Sequence, residues 1–425
     1  MSAERSPSKL NAREAALLVR NNDSIVISGC GAAPIEFLSA LAGRLDLDDV
    51  YLFHATAWGE LPHLTEENRP AHIHFHAYFL PALARKLFLR REVDYAPLTF
   101  SLMERMYQTD ELQADVVAVT CSTPDANGYC SLGPFLSYLP AAMKMARVVI
   151  GECSPHWPNI RGGAQVHVSN FDCLVDVDRG PVISKPIKPN DVARQIGENV
   201  IGLVPDGATI QIGRGAIPNA VAEGLAGHRD LGIHSEMISD WIIDLVESGV
   251  VTGARKKSFR GEILTSFMDG SERLYEFASR CEKLNLQPIY EANNPELVSN
   301  EPNFIAINSA LELDLSGQIN AETLSGNLIS GAGGLLDFAF GAARSPNGKF
   351  IVAIPSTAKG GTISRIVHLL EAGAAVTVPR ALTHYVVTEH GIANLRGCTL
   401  QERARRLISI ADPKFRDELT HKAQI

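Results

Sequence analysis

An internal repeat constrains the fold of this chain more than any other feature of its sequence. Residues 23–38 and 206–222 each carry a β-branched run that leads into a turn with the frame Gly-x-Gly-Ala-x-Pro. At one constant offset, the matched positions are Gly29 with Gly213, Gly31 with Gly215, Ala32 with Ala216 and Pro34 with Pro218. Weaker matches follow in the same order, namely residues 52–56 with 232–236, which pairs Thr56 with Glu236, and residues 125–128 with 314–317. Matches that keep one order predict two similar halves.

Each half alternates short β-branched runs with stretches whose apolar residues recur every three to four positions, and this alternation predicts α/β layers with a mostly parallel sheet. The predicted strands are Ser24–Ser28, Val116–Thr120, Ala208–Gly213 and Phe350–Ile354, and the predicted helices include Ala220–Ala226 and Ile363–Ala372. A chain of 425 residues is too long for one core. Two prolines between Pro186 and Asp191 mark the join. We therefore predict two similar open α/β domains, residues 1–187 and 188–425.

Charge and cysteine usage exclude several classes of protein. The net charge of −9 repels a phosphodiester backbone, so we expect no nucleic acid partner, although one local basic site could still hold the phosphates of coenzyme A. Seven cysteines without a Cys-x-x-Cys pair argue against a disulfide framework or zinc site and for a reducing cytoplasm. With neither a signal-peptide core nor a long apolar run, we expect a cytoplasmic protein without a membrane partner. Because two-fold assemblies are the commonest, we also expect a homo-oligomer.

Two glycine-rich segments and two charged residues are the candidates for a ligand site. The turn at residues 213–218 follows a strand and opens a helix, where backbone N–H groups favour an anion, although a plain tight turn would carry the same letters. Pro218 stands where a dinucleotide fingerprint needs its third glycine, so that interpretation is weak. Residues 330–338 could present N–H groups to an oxyanion or form a flexible turn. Lys359 could be a phosphate contact or a surface lysine.

Glu236 follows a short strand, and open α/β sheets bind ligands beyond the carboxyl ends of their strands. Its position suits a catalytic carboxylate, and it equally suits a solvated or capping one. Histidines at positions 72, 74 and 76 have a spacing that could hold a metal, but no carboxylate or cysteine completes the set, so we interpret them as strand histidines. Glu389 and His390 are neighbours that point to opposite faces of a strand, and we interpret them as structural.

The chain as a whole resembles the acetyl-CoA hydrolase/transferase family, close to the 4-hydroxybutyrate and butyrate CoA-transferases of class I. The motifs that carry the resemblance are STPDANGYCSLG (122–133), QIGRGAIPNAV (211–221), DLGIHSEMISD (230–240), INSALELDLSGQINAE (307–322), SGAGGLLDF (330–338), PSTAKGG (355–361) and VVTEHGIANLRG (386–397). The resemblance implies two α/β domains of the type shared with NagB-like isomerases, with the active site between them.

The resemblance also implies the site. The family's covalent glutamate falls on Glu236, and the backbone near Gly333 and Gly334 would stabilise the oxyanions. The implied coenzyme A contacts are Gly213, Arg214, Gly215, Ala216, Ile217, Leu311, Gly334 and Lys359, of which Leu311 rests on spacing more than on a motif. The implied chemistry passes through an acyl-glutamyl anhydride and a glutamyl-CoA thioester and requires no metal or other cofactor, since coenzyme A is a substrate.

The resemblance implies a CoA-transferase that moves CoA between a short-chain acyl-CoA, such as acetyl-, butyryl-, 4-hydroxybutyryl- or succinyl-CoA, and a small carboxylic acid. The alternatives are an acyl-CoA hydrolase, a transferase for a dicarboxylic acid such as itaconate, and a non-catalytic CoA or sugar-phosphate binding protein. The sequence departs from its relatives at Trp241, which could narrow the acyl pocket, and at residues 153–163.

Overall fold

A computed structural model describes residues 6–54 and 72–424. Thr56, which the repeat pairs with Glu236, lies outside the described residues. The chain forms two compact units: unit 1 comprises Met1–Lys185 and Thr265–Ala292, and unit 2 comprises Pro186–Leu264 and Asn293–Ile425. The domain boundary between residues 187 and 188 stays a prediction. Among the described residues, no helix is long and apolar enough to cross a membrane.

The strands are short and follow one another along the whole described chain. In chain order they are β1 (Ser8–Lys9), β2 (Ser24–Ile27), β3 (Val50–His54), β4 (Ile73–Ala77), β5 (Asp94–Tyr95), β6 (Val116–Ser122), β7 (Tyr129–Ser131), β8 (Val148–Ser154), β9 (Gln165–His167), β10 (Cys173–Asp176), β11 (Thr209–Ile212), β12 (Gly232–Ile233), β13 (Met237–Ile238), β14 (Ile263–Thr265), β15 (Phe267–Met268), β16 (Leu284–Leu286), β17 (Phe304–Asn308), β18 (Glu312–Asp314), β19 (Ile319–Asn320), β20 (Thr323–Leu324), β21 (Asn327–Leu328), β22 (Lys349–Ala353), β23 (Thr357–Ala358), β24 (Ile363–Ser364), β25 (Ile366–Val367), β26 (Tyr385–Thr388) and β27 (Gly391–Asn394).

The helices lie between these strands and at the end of the chain. In chain order they are α1 (Ala12–Ala16), α2 (Ile35–Ala42), α3 (Ala82–Leu89), α4 (Phe100–Gln108), α5 (Leu139–Met145), α6 (Asp191–Ile201), α7 (Ala216–Gly224), α8 (Trp241–Glu247), α9 (Glu272–Arg280), α10 (Ile289–Ala292), α11 (Pro295–Asn300), α12 (Leu335–Arg344), α13 (Leu400–Ile410) and α14 (Pro413–Ala423).

Unit 1 contains an eight-stranded sheet in the order β1-β10-β8-β6-β2-β3-β4-β5, and its described pairings are parallel. Every residue of β6 and of β8 is buried, which is typical of parallel strands that are covered on both faces. The uninterrupted apolar run that predicted a strand at Val116–Thr120 has this cause.

Unit 2 contains a six-stranded sheet in the order β12-β11-β17-β22-β26-β27. Its strands run parallel except for the edge pair β26–β27, which is antiparallel. Its core packs the sheet residues Phe304, Phe350 and Val386 against Phe338 of helix α12 and Leu407 of helix α13. Strand β11 is buried throughout and ends at Ile212, so the glycine turn begins where the chain leaves the sheet.

The strand order confirms the repeat. In unit 1 the run β3-β2-β6-β8-β10 matches the run β12-β11-β17-β22-β26 of unit 2, strand for strand in chain order. In both units the strand that precedes the glycine turn pairs with the strand after the next helix. The predicted fold class is therefore confirmed: the chain contains two similar open α/β sheets.

The predicted strands are confirmed with end shifts of one or two residues. The helix predicted at Ala220–Ala226 overlaps the end of helix α7 and the 3-10 turn Leu225–Gly227 that follows it. The helix predicted at Ile363–Ala372 is wrong, because this stretch forms β24 and β25 and then turns. Its apolar residues do recur at helical spacing, but Ile363, Ile366 and Val367 are β-branched and fit strands better. Ile366 pairs with Leu313 of β18, and this tertiary pairing decides the conformation.

The glycine turn of unit 1 is filled by the chain itself. The backbone N–H of Val182 donates to the carbonyl oxygen of Gly31 at 3.0 Å. A Cβ atom added to Gly31 would meet the backbone of Val182, whereas one added to the matched Gly215 of unit 2 would meet only Pro218 of the same turn, at 3.6 Å. The two halves thus share a turn, and a distant segment of the chain packs against its second glycine in unit 1 but not in unit 2.

Candidate active site

Glu236 lies just beyond the carboxyl end of β12, where the sequence places it, and is half-buried. Its neighbour Ser235 is fully buried and tied to the end of the adjacent strand β11, since the backbone N–H of Ile212 donates to the Ser235 Oγ at 3.3 Å. The Ser235 hydroxyl in turn lies 3.0 Å from the carbonyl oxygen of Ile212. The segment that carries Glu236 is thereby fixed to the segment that leads into the glycine turn.

The Glu236 carboxylate accepts two defined hydrogen bonds. The side-chain amide of Asn293 donates to Oε2 at 2.7 Å, and the backbone N–H of Gly334 donates to the same carboxylate. A Cβ atom on Gly334 would collide with Glu236 Oε2 and with the Asn293 amide. Glycine is therefore required at position 334 by close approach to the carboxylate rather than by an unusual backbone angle.

The second glycine cluster turns into helix α12 at this point. Gly333 has φ of 54°, a left-handed conformation that favours glycine, and Gly334 is the residue before the helix begins at Leu335. The N-terminus of a helix carries unsatisfied N–H groups and a partial positive charge. The structure thus brings together three predicted residues, Glu236, Gly333 and Gly334, at a helix end that stabilises negative charge.

Burial raises the pKa of Glu236 to about 7, from an ordinary value of 4.5. The hydrogen bond from Asn293 lowers the pKa, the negative charge of Asp337 raises it, and the hydrogen bond from Gly334 lowers it. Asp337 is buried in the first turn of helix α12, with its Oδ2 3.5 Å from the Asn293 amide nitrogen. The carboxyl is therefore poised between its charged and neutral forms near neutral pH.

The predicted coenzyme A turn and Lys359 line one cavity of about 650 Å³ within unit 2. The cavity walls come from the turn, the amino end of helix α6, the carboxyl end of β17 and the segment after β22. The lining residues are Asn190, Val192, Ala193, Gly213, Arg214, Gly215, Ala216, Ile217, Pro218, Ile307, Asn308, Ser309, Ala353, Pro355, Thr357, Ala358, Lys359, Gly360, Gly361 and Glu389. Six of the predicted coenzyme A contacts, the five turn residues 213–217 and Lys359, thus line one cavity.

Leu311 and Glu236 are not among the described residues that line this cavity. Leu311 is half-buried beyond the end of β17, and its backbone carbonyl accepts a 2.9 Å hydrogen bond from the guanidinium of Arg365. Gly334, the other predicted contact outside the cavity lining, lies at the Glu236 carboxylate instead. All eight predicted contacts with coenzyme A stay predictions.

The sequence analysis did not identify Asn293, and it did not predict the contact that Trp241 makes with the glycine turn. Asn293 is fully buried and belongs to an Asn-Asn-Pro sequence that is typical of a helix start, and Asn294 does cap helix α11. No local signal marks Asn293, since its partner Glu236 is remote in sequence. The indole Nε1 of Trp241 donates to the carbonyl oxygen of Gly213 at 3.1 Å, so this side chain supports the glycine turn.

Glu389 and the histidines at positions 72, 74 and 76 were interpreted as structural, and only Glu389 lies in the cavity lining. Glu389 lines the cavity, and its carboxylate accepts hydrogen bonds from the backbone N–H and the hydroxyl of Ser356, at 2.9 and 2.6 Å. Of the strand histidines, His74 lies 3.2 Å from Asp49. Within residues 6–54 and 72–424, no group of three or more His, Cys, Asp or Glu side chains could hold a metal ion.

Family comparison covers both parts of the chain. The acetyl-CoA hydrolase/transferase N-terminal domain matches residues 4–184, and the acetyl-CoA hydrolase/transferase C-terminal domain matches residues 270–423.

Individual relatives match the chain over nearly its whole length. The 4-hydroxybutyrate coenzyme A transferase of Clostridium kluyveri is 37% identical over 414 residues, which cover 97% of this chain and 96% of the relative. The succinyl-CoA:cyclohexane-1-carboxylate CoA transferase of Geobacter metallireducens is 36% identical over 97% of this chain and 94% of its own. The crystal structure of RipA from Yersinia pestis superposes with a TM-score of 0.92 at 33% identity, covering 98% of this chain and 97% of that one.

Proposed function

Because this chain belongs to the acetyl-CoA hydrolase/transferase family, we propose that it is an acyl-CoA:carboxylate CoA-transferase whose nucleophile is Glu236. The observation that carries the proposal is the Glu236 carboxylate itself. It is held by the Asn293 amide and the Gly334 N–H at the start of helix α12, beside an open glycine turn tied to the same segment through Ser235.

In the first step, one oxygen of the ionised Glu236 carboxylate attacks the carbonyl carbon of the acyl-CoA thioester. The carbon–sulfur bond breaks, the electron pair leaves with sulfur, and the products are an acyl-glutamyl anhydride and CoA thiolate. Burial removes water from the carboxylate, and the resulting pKa of about 7 makes it a stronger nucleophile than an ordinary glutamate while half of it remains ionised at neutral pH.

In the second step, the CoA thiolate attacks the glutamyl carbonyl of the anhydride. The acyl group leaves as a free carboxylate, and Glu236 carries CoA as a thioester. The addition places negative charge on the glutamyl oxygen, and the Asn293 amide and Gly334 N–H already point at the carboxyl group. A preorganised donor of this kind contributes about 2.7–4 kcal/mol to such steps.

The acceptor acid then completes the reaction by the same two steps in reverse. Its carboxylate attacks the glutamyl-CoA thioester and forms a new anhydride, and the released thiolate attacks the acceptor's carbonyl. A new acyl-CoA leaves, and Glu236 is again a carboxylate. The enzyme supplies one nucleophile and a binding site for CoA, and the thioester bond energy is conserved throughout.

We propose that the cavity beside the glycine turn holds coenzyme A through residues 213–217 and Lys359. The turn offers close backbone approach and the start of the nine-residue helix α7, where an anion is favoured. The ammonium group of Lys359 suits a phosphate as a point charge.

We propose short-chain acyl-CoA donors and small carboxylic acids as substrates. The two relatives are named for 4-hydroxybutyrate and for cyclohexane-1-carboxylate with succinyl-CoA, acids that differ in size and polarity. The family machinery therefore serves chemically different acids, and the acid of this chain has to be found by experiment.

The deciding experiment incubates the protein with acetyl-CoA, butyryl-CoA or succinyl-CoA, each with and without a panel of carboxylic acids. Mass spectrometry follows the appearance of new acyl-CoA. We expect acyl-CoA formation that depends on the acceptor and is lost in Glu236→Gln. Release of free CoA at one rate with and without every acceptor would instead identify a hydrolase.

A further inference from the structure

Lys414 is the second residue of helix α14 and is exposed at the edge of the cavity. Its ammonium group lies beside Gly361, since a Cβ atom built on Gly361 would be 3.4 Å from the Lys414 Nζ. Gly361 lines the cavity together with Lys359 and Gly360. Helix α14 thus places a second positive charge beside residues 359–361.

The ammonium group of Lys414 is available to bind a ligand. Within the described part of the chain, its ammonium group has no hydrogen bond or ion pair, and it lies 4.9 Å from the centroid of the Phe415 ring. Lys422 on the same helix behaves differently, because it forms a 2.6 Å ion pair with Glu418. The Asp412 carboxylate caps the helix by accepting a 3.0 Å hydrogen bond from the backbone N–H of Lys414, and it forms no ion pair with the Lys414 ammonium group.

Lys359 has the same character. It has φ of 48°, lines the cavity, and its ammonium group has no partner among the described side chains. Two lysines whose charges have no partner within residues 6–54 and 72–424 thus flank the Gly360–Gly361 segment, and Arg214 lines the same cavity from the glycine turn. Glu389 also lines the cavity, but its carboxylate already accepts two hydrogen bonds from Ser356, so the basic side chains outnumber it. In a chain with a net charge of −9, such a local excess of positive charge indicates an anionic ligand.

We infer that Lys414 is a phosphate-binding residue that acts with Lys359 on the phosphorylated end of acyl-CoA. The inference rests on the proposed function, because that function supplies the ligand. Coenzyme A carries two kinds of phosphate, a 3′-phosphate on the ribose and an internal diphosphate, and both suit ammonium groups. Lys414 acts on the nucleotide end of the ligand and takes no part in the reaction at the thioester.

The test compares three thioesters of one acyl group, namely acyl-CoA, acyl-3′-dephospho-CoA and acyl-pantetheine, which lacks every phosphate. The variants are Lys414→Met, which keeps the aliphatic stem over Phe415, and Lys414→Arg, which keeps the charge. Lys422→Met removes a charge from the same helix as the matched control. Thermal unfolding confirms that each variant folds.

For acyl-CoA we expect Lys414→Met to lower kcat/KM roughly fivefold, as befits a solvent-exposed charge contact, and to act through KM rather than kcat. Lys414→Arg and Lys422→Met should stay near the wild type. The loss should shrink as salt is raised. With acyl-pantetheine the wild type and Lys414→Met should have the same kcat/KM. A loss that persists with the dephospho compound assigns Lys414 to the diphosphate, and one that disappears assigns it to the 3′-phosphate.

Equal kcat/KM for the wild type and Lys414→Met with acyl-CoA would overturn the inference, and so would an equal loss with acyl-pantetheine, which would mark a structural role. Failure of the proposed function gives a different result. In that case the wild-type protein itself would transfer no CoA and would bind none in calorimetry, before any variant is compared.

Discussion

The charge state of a single residue, Glu236, governs the proposed reaction. Burial and Asp337 favour its neutral form, and Asn293 and Gly334 favour its ionised form. The balance places its pKa at about 7, so pH controls the supply of nucleophile directly.

The pH dependence of kcat/KM for acyl-CoA should therefore rise through about pH 7, because the carboxylate and not the carboxylic acid attacks. In Asp337→Asn the rising limb should move to lower pH, since a neighbouring negative charge that raises the pKa is removed. Initial rates in buffers of constant ionic strength measure both profiles. An unmoved limb in Asp337→Asn would show that its charge does not act on the nucleophile.

Glu236→Gln should abolish transfer and, above neutral pH, stabilise the fold. A glutamate whose pKa is raised on folding contributes stability below its unfolded pKa of about 4.5 and loses it as pH rises through 7. Removing the titrating group should thus increase the free energy of unfolding at pH 8 by about 1–3 kcal/mol relative to the wild type. Chemical denaturation at pH 5 and pH 8 measures the difference. A difference that is the same at both pH values would contradict the assigned burial of the charge.

At this scale the sequence pointed to residues that lie in motifs and missed residues that only folding brings together. Glu236 and Gly334 could be named because each lies in a recognisable stretch of sequence. Asn293 could not, since its hydrogen bond to Glu236 joins positions 57 residues apart and its own surroundings are typical of a helix start. The support that Trp241 gives to Gly213 could not be predicted either, because the direction of a tryptophan side chain near a candidate residue is not fixed until the helix is placed.

Among the elements, the glycine turn at residues 213–218 connects the sheet to the cavity. Strand β11 ends at Ile212, helix α7 begins at Ala216, and the Trp241 indole holds the carbonyl of Gly213 between them. Gly215 has φ of 141°, so a side chain there would strain the backbone. Gly213 has no such constraint, and its lack of a side chain leaves space that the protein does not fill.

Gly213→Ala should therefore leave the free energy of unfolding within about 0.5 kcal/mol of the wild type, because no atom lies within 4 Å of the new methyl group. It should raise KM for acyl-CoA about tenfold if the ligand occupies that space. Gly227→Ala is the matched control, since its methyl group also meets no atom within 4 Å and it lies outside the set of residues that line the cavity. An unchanged KM in Gly213→Ala would place the ligand elsewhere.

Elements were predictable where burial alone decides their type. The strands beneath the site are continuous apolar runs because both faces of a parallel sheet are covered. The stretch from Ile363 to Ala372 was mistaken for a helix because its spacing is helical, although pairing of Ile366 with Leu313 makes it extended. The spacing of apolar residues does not show whether a neighbouring strand is available to pair with the segment.

For the whole molecule, the central fact is that each unit carries the same strand order and the same turn, yet the two have diverged around it. In unit 2 the turn lines a cavity, and the carboxylate, amide and helix end of the candidate site belong to the same unit. In unit 1 Val182 packs against Gly31, whose counterpart in unit 2, Gly215, lines the cavity.

Because Val182 packs against the turn of unit 1, we expect one coenzyme A site per chain rather than two. A chain built from two similar halves should saturate with a single equivalent of coenzyme A and should carry a single glutamyl adduct. Intact mass spectrometry after mixing with excess acyl-CoA, quenched before acceptor is added, counts the adducts, and calorimetry with CoA counts the binding sites. Two equivalents of coenzyme A per chain would mean that Val182 moves away from Gly31 in solution and that the turn of unit 1 also binds the ligand.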